Sequence, residues 1–207
     1  MKIGINSHAS VKLETEQGII YFDPFRLKSA ENDADYIFIT HSHFDHFSPK
    51  DIEKAANKDT VLIVPETMYN DVAKAELAIG KVCGFAQNTE ETVGELKIEA
   101  VPAYNTNKPM HQKAYGWLGY IITVEGRRVY VCGDMDATEE GKKVECDLAF
   151  VPVGGTYTMN AKEAAEFVNE MKPGTAIPYH YGLIVGGKSC GEKFKKLVDK
   201  SINVELY

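Results

Sequence analysis

Cysteine is scarce in this chain. Cys83, Cys132, Cys146 and Cys190 are the only four, and none forms a C-x-x-C pair. These spacings argue against a zinc–thiolate site. A chain of 207 residues needs no disulfide staples, so reduced thiols and a cytoplasmic setting are expected. No apolar run approaches the roughly 18 residues of a membrane helix. The opening M-K-I-G-I-N-S-H turns polar too early for a secretion signal. Positive charge is in deficit, with 23 Lys+Arg against 30 Asp+Glu and a net charge of −7. An acidic chain without a Lys/Arg cluster and interleaved aromatics is a poor partner for nucleic acid or anionic membrane. Repeats, low-complexity segments and linkers are also missing, so residues 1–207 read as one domain.

What is present alternates strand and helix signals. Strands are expected at 2–6, 10–15, 18–23 and 36–40, with a hairpin turn at Glu16-Gln17-Gly18. A helix is expected over 49–57, with Ser48 as N-cap, Pro49 as first residue and Asp51 as the capping-box acid. A strand at 61–64 and a helix over 66–79, ended by Gly80, follow. Further strands fall at 96–103, 116–124, 127–132, 148–153 and 176–179, and a terminal one at 203–207. Residues 160–171 read as a helix capped by Asn160 and Glu163, with Ala161, Ala164, Ala165 and Val168 on one apolar face. A last helix is expected over 192–200. Many strands with interspersed helices suggest two packed sheets with helices outside.

The strongest chemical signal is His41-Ser42-His43-Phe44-Asp45-His46, which holds three of the six histidines. It follows an apolar strand, at the end where α/β sheets place their ligands. In extended chain, side chains at i and i+2 point the same way, so His41 and His43 can grip one metal. Asp45 and His46 follow on the turn and can reach a second point. Imidazole and carboxylate suit Zn²⁺, and also Mn or Fe. Local ligands that leave open positions indicate catalysis rather than a closed structural site; the plain alternative is a solvated loop. Gly133-Asp134 closes another strand. There a carboxylate could bridge two cations, or simply occupy a turn. His180, in P-Y-H-Y-G at 178–182, is either a further ligand or a satisfied structural histidine.

H-S-H-F-D-H at 41–46, G-D at 133–134 and I-P-Y-H at 177–180 resemble the metallo-β-lactamase superfamily, in matching order over nearly the whole chain. G-I-N-S-H-A-S at 4–10 and I-I-Y-F-D-P-F at 19–25 are similar to the small branch that includes ascorbate-6-phosphate lactonase and the N-acyl-phosphatidylethanolamine phospholipase D type. The resemblance implies an αββα four-layer sandwich of two mixed sheets with outer helices, and a dinuclear metal site on one edge. By this resemblance His41 and His43 bind a first metal, Asp45, His46 and His180 a second, and Asp134 bridges them. It also implies two Zn²⁺, with Mn or Fe as alternatives, and Asp45 and Asp134 as the catalytic carboxylates. Asp45-His46 differs from the glutamate-containing pattern of the diiron oxygen reductases, so hydrolysis by a metal-activated water is expected. The substrate would be a small ester, lactone or phosphodiester. An RNA-processing hydrolase and a non-catalytic metal-binding or sensing domain are the other readings.

One position departs from the pattern. The branch usually offers a third histidine after the strand ending V-P-A, but here Tyr104-Asn105 follows Ala103. His111 is then a replacement ligand, a substrate-binding group or merely exposed. His8 is expected near the metals, orienting ligands, or on the surface. Asn105, His111 and Tyr181 are candidate donors to a developing oxyanion. Gly154-Gly155-Thr156-Tyr157 reads as a tight turn before a helix, or as backbone amides for an anion. Residues 183–187 read as a lid, a contact between copies in a homo-oligomer, or simple packing, and Trp117 reads as core.

Overall fold

The computed structural model describes all 207 residues. Six strands form one sheet in the order β1 (Lys2–Ser7), β2 (Ser10–Thr15), β3 (Gly18–Phe22), β4 (Tyr36–Phe38), β5 (Val61–Pro65), β6 (Lys81–Phe85). The second sheet has seven: β7 (Glu90–Val93), β8 (Leu96–Pro102), β9 (Leu118–Val124), β10 (Arg127–Val131), β11 (Leu148–Pro152), β12 (Thr175–Tyr179) and β13 (Asn203–Val204), stacked in chain order. Both sheets are mixed. The β1–β2–β3 and β7–β8–β9–β10 pairings are antiparallel and the rest parallel.

Period-2 alternation decides which side chains go to which layer. In β3, Ile20 and Phe22 enter the core between the sheets while Tyr21 faces the other way. In β4, Tyr36 and Phe38 do the first and Ile37 the second. The outer face of the first sheet is covered by α1 (Pro49–Ala55) and α2 (Tyr69–Ala75). The second sheet's outer face is covered by α4 (Ala161–Met171) and α5 (Cys190–Leu197), with the short α3 (Glu139–Lys142) beside them. This is the αββα sandwich. No helix is long and apolar enough to cross a membrane.

α4 starts as the sequence indicates. Asn160 accepts from the Lys162 and Glu163 amides, and the Glu163 carboxylate accepts from the Asn160 amide. α1 does not. Ser48 precedes Pro49, but its hydroxyl donates to Asp51 instead of capping the backbone. Asp51 faces a different loop, accepting from the amides of Arg26 and Leu27 at 2.9 and 3.0 Å. The 66–79 helix shrinks to a 3₁₀ turn at Glu66–Met68 and α2, stopped by Glu76 in a left-handed conformation. Gly80 is not its cap. The Gly80 amide donates to the Thr60 carbonyl and leads into β6. β6, β7 and α3 are absent from the sequence reading. β6 and β7 are edge strands whose polar, half-exposed residues carry little alternation. The terminal strand is only two residues long, and the last helix sits two to three residues earlier than expected.

Candidate metal centre

Strand direction assembles the site. β1, β3 and β4 run one way in the first sheet, and β8, β10, β11 and β12 run one way in the second. Just beyond their carboxyl ends come, in order, His8, Asp23, His41 to His46, Asn105 with His111, Asp134, Tyr157 and His180. Several of these sit in unusual backbone. His8, Asp23, His111 and His180 all have φ between 44° and 58°. Left-handed backbone costs a non-glycine residue roughly 1–2 kcal/mol, and such strain gathers at functional sites. Gly133, at φ +69°, is a glycine the site requires. A Cβ there would lie 3.1 Å from both the Leu118 carbonyl oxygen and the Thr40 Cβ.

The two oxygens of Asp134 face different groups. Oδ2 lies 3.3 Å from His111 Nε2 and 3.9 Å from His41 Nε2. Oδ1 lies 3.1 Å from His180 Nε2 and 3.3 Å from His46 Nε2. Asp45 Oδ2 joins the second group, 3.3 Å from His8 Nε2, 3.7 Å from His180 Nε2 and 3.8 Å from His46 Nε2. His41, His43 and His111 offer donor atoms within 4.8 Å of one another, as do His8, Asp45 and His180, and His41, His46 and Asp134. Metal–ligand bonds of 2.0–2.1 Å in a tetrahedron separate ligand atoms by about 3.3 Å. The observed spacings match that edge. Burial sharpens the case. His8 Nε2, His46 Nε2, His111 Nε2, His180 Nε2 and Asp134 Oδ1 are all buried without a hydrogen-bond partner in the protein. Orphaned buried polar atoms are rare, and five aimed at one space fit a metal.

Around these donors stands a bracing set. Asp23, fully buried, accepts from His46 Nδ1 at 2.7 Å, from the Thr40 amide at 2.8 Å and from the Thr40 hydroxyl at 2.7 Å. Thr40 Oγ1 also lies 3.0 Å from His41 Nδ1. The Asn105 amide donates to the His111 carbonyl at 2.7 Å, and its side chain lies 3.3 Å from His111 Nδ1 while donating to the Tyr157 carbonyl. The His180 amide donates to the His8 carbonyl at 3.0 Å, which ties the two sheets together at the site.

Charge follows from burial and company. Burial, reinforced by neighbouring imidazoles, holds His41 and His43 below the usual imidazole range, which favours their neutral form. Burial alone would push the Asp134 and Asp45 carboxyls up. His180 and His46 outweigh it at Asp134, and His180 and His8 outweigh it at Asp45, so both stay well below the usual carboxylate range. Burial would lower His46 and His180, but Asp134 beside each raises them.

The structure thus brings together His41, His43, Asp45, His46, Asp134 and His180. It also decides between alternatives that the sequence leaves open, and it moves Trp117 out of the core. His111 is buried, not exposed, and its Nε2 faces Asp134 where the third histidine was missing. Asn105 braces His111 rather than standing in as an oxyanion donor. His8 is no surface residue: it is buried, with its ring centroid 3.9 Å from that of His180 and the planes tilted by 40°. The Tyr181 hydroxyl packs against Gly191 on α5, away from the donors. The Gly155 amide donates to the Met159 carbonyl, which makes residues 154–157 a turn. Trp117 is half-buried against His41, His43 and His111, with ring centroids 4.8–5.3 Å away, and is not core. Asp23 has no role in the sequence reading, although the D-P of 23–24 marks it, and Tyr157 enters that reading only through the backbone of the 154–157 turn.

A two-sheet sandwich with a His/Asp centre at its strand ends defines a class. The family model for the β-lactamase superfamily domain matches residues 2–180. A UPF0173 metal-dependent hydrolase of Ligilactobacillus salivarius is 32% identical over 195 residues, spanning 87% of this chain and 85% of its own length. A crystal structure of a candidate metal-dependent hydrolase from Parabacteroides distasonis superposes with a TM-score of 0.84 at 33% identity, covering 99% of this chain and 91% of that one. Igni18, a metallo hydrolase of Ignicoccus hospitalis, shares the fold with a TM-score of 0.81 at 20% identity, covering 99% and 94%. The chain belongs to the β-lactamase superfamily and, within it, to the UPF0173 metal-dependent hydrolases.

Proposed function

We propose that the protein is a hydrolase that holds two divalent cations, zinc before manganese or iron, and cleaves a small ester, lactone or phosphodiester. His41, His43, His111 and Asp134 Oδ2 would hold the first cation. Asp45, His46, His180 and Asp134 Oδ1 would hold the second, with His8 at its edge. Bound there, the cations supply Lewis acidity and bring a water's pKa down to about 7. Asp45, kept ionised by His180 and His8, orients the attacking water and takes its proton. Asp23 holds the His46 ring in place, and the Asn105 backbone amide fixes the His111 carbonyl and so the turn that carries His111. Trp117 closes one side of the imidazole group. The four cysteines are free thiols, which supports a reducing, cytoplasmic setting.

The observation that carries this reading is Asp134, whose two oxygens face two separate sets of histidines. A second observation weakens the non-catalytic alternative: His111 offers a donor atom beside His41 and His43 where Asn105 leaves the pattern one histidine short. Elemental analysis of the purified protein, followed by assays with p-nitrophenyl esters, lactones, β-lactams and bis-p-nitrophenyl phosphate, tests it. The expected result is two equivalents of metal per chain and turnover that a chelator abolishes. Full metal loading with no turnover of any of these would overturn the hydrolase reading.

A further inference from the structure

The centre opens through a cavity of 320 Å³ lined by eight residues. His43, Asp45, His111 and Asp134 are its floor, and Phe44, Met110, Tyr157 and Ile184 are its walls. The walls come from four different loops, at the ends of β4, β8, β11 and β12. They are large side chains left open to solvent, with Phe44 69%, Met110 40%, Tyr157 41% and Ile184 38% exposed. Leu183 beside Ile184 is also exposed, and Phe25 meets the Phe44 ring edge-on. Single exposed apolar residues are ordinary, but a ring of them around a polar floor marks a binding surface.

The charge pattern says what binds. No lysine or arginine lines the cavity, and its two carboxylates, Asp45 and Asp134, belong to the donor set that would hold the cations, so the walls beyond the metal centre are uncharged. Lys108, two residues from Met110, pairs with the buried Asp136 and does not line the cavity. A charged arm on a substrate, phosphate or carboxylate, would find no counter-charge on these walls. An apolar arm would cover side chains that are otherwise in water.

We infer that the substrate is an uncharged carboxylic ester or lactone with an apolar acyl arm, and that Phe44, Met110 and Ile184 seat that arm. This rests on the hydrolase reading and narrows it. In the reaction the oxygen of water bonds to the acyl carbon and the acyl C–O bond breaks. The alcohol takes one of water's protons (in a lactone it stays tethered as the product's hydroxyl), the other is released to solvent as the carboxylate forms, and no redox partner is needed.

The test is a matched series on the zinc-supplemented protein: p-nitrophenyl acetate, p-nitrophenyl hexanoate, the anionic mono-p-nitrophenyl succinate and bis-p-nitrophenyl phosphate. The hexanoate is expected to exceed both the acetate and the succinate in kcat/KM by at least about tenfold, equal to about 1.4 kcal/mol. Ile184→Asp is expected to cut the hexanoate-to-acetate ratio at least threefold, and Ile184→Lys to move preference toward the succinate. A flat chain-length series, or preference for either anionic substrate, in an enzyme that does turn over would overturn this inference and leave the hydrolase reading standing. If nothing is turned over, fluorescence of Trp117, the single tryptophan, reads the binding of 2-octanone and 2-butanone directly. Tighter octanone binding by tenfold would keep the apolar seat and overturn hydrolysis; equal binding would overturn both.

Discussion

Asp23→Asn tests whether the centre depends on a carboxylate that touches no candidate donor position directly except through His46. Asp23 is fully buried and accepts three hydrogen bonds, from His46 Nδ1, the Thr40 amide and the Thr40 hydroxyl. Oδ1 serves the amide and Oδ2 serves the other two. An asparagine that keeps its oxygen on the Thr40 amide must turn its NH₂ toward His46. With His46 Nε2 on a cation, Nδ1 carries the ring proton, so donor would face donor. Loss of such a partner costs about 10–100-fold in metal affinity, or about 1.4–2.7 kcal/mol. The fold also loses a charge-assisted hydrogen bond of about 1.5–3 kcal/mol, which at this chain length lowers Tm by roughly 3–12 °C. Chelator competition measures the first quantity, and melting of the stripped protein measures the second. Reduced stability with metal affinity unchanged would refute the reasoning, because Asp23 would then act on the backbone and not through His46.

Three more outcomes are expected. Gly133→Ala combines left-handed strain with a contact of 3.1 Å to backbone and to Thr40. It should cost about 2–3 kcal/mol, and a Tm within 2 °C of the unaltered protein would contradict this. His111→Ala should release close to one equivalent of metal, read by elemental analysis; unchanged metal affinity removes His111 from the donor set. Asp51→Asn probes pH. Burial would raise the Asp51 carboxyl, but Lys54, Ser48 and the amides of Arg26 and Leu27 outweigh it and lower it. A lowered carboxyl stabilises the fold above its unfolded value near 3.9, and that contribution fades as pH falls through its folded value. Urea unfolding at pH 7 and pH 3 should show the gap between the two proteins shrinking on acidification. A gap that widens would reverse the sign of the argument.

Much of the centre is legible before folding because its chemistry is local. Four donors fall within His41–His46, on a turn whose amides at 46 and 47 return to the His43 carbonyl. Asp134 and His180 each follow an apolar run, so strand ends mark them. The inter-sheet strands alternate cleanly, and the Asn160–Glu163 cap is a three-residue pattern that neighbours cannot alter. Edge strands β6 and β7 escaped because exposed residues carry no burial period. The Ser48–Asp51 pattern misled because Asp51 found two backbone donors in a distant loop.

Short-range order, then, was decided by residue type and spacing along the chain: which segments are strands, where imidazoles cluster, what metal chemistry they suit. Only the packed sheets decided that His111 stands where the third histidine was missing, that His8 reaches Asp45, that Asp23 holds His46, and that Asp134 divides its oxygens between two groups. Those relations, and the contact between His8 and His180, 172 positions apart, join residues far apart in the chain. They depend on strand order and on left-handed turns at the strand ends, which no local pattern specifies.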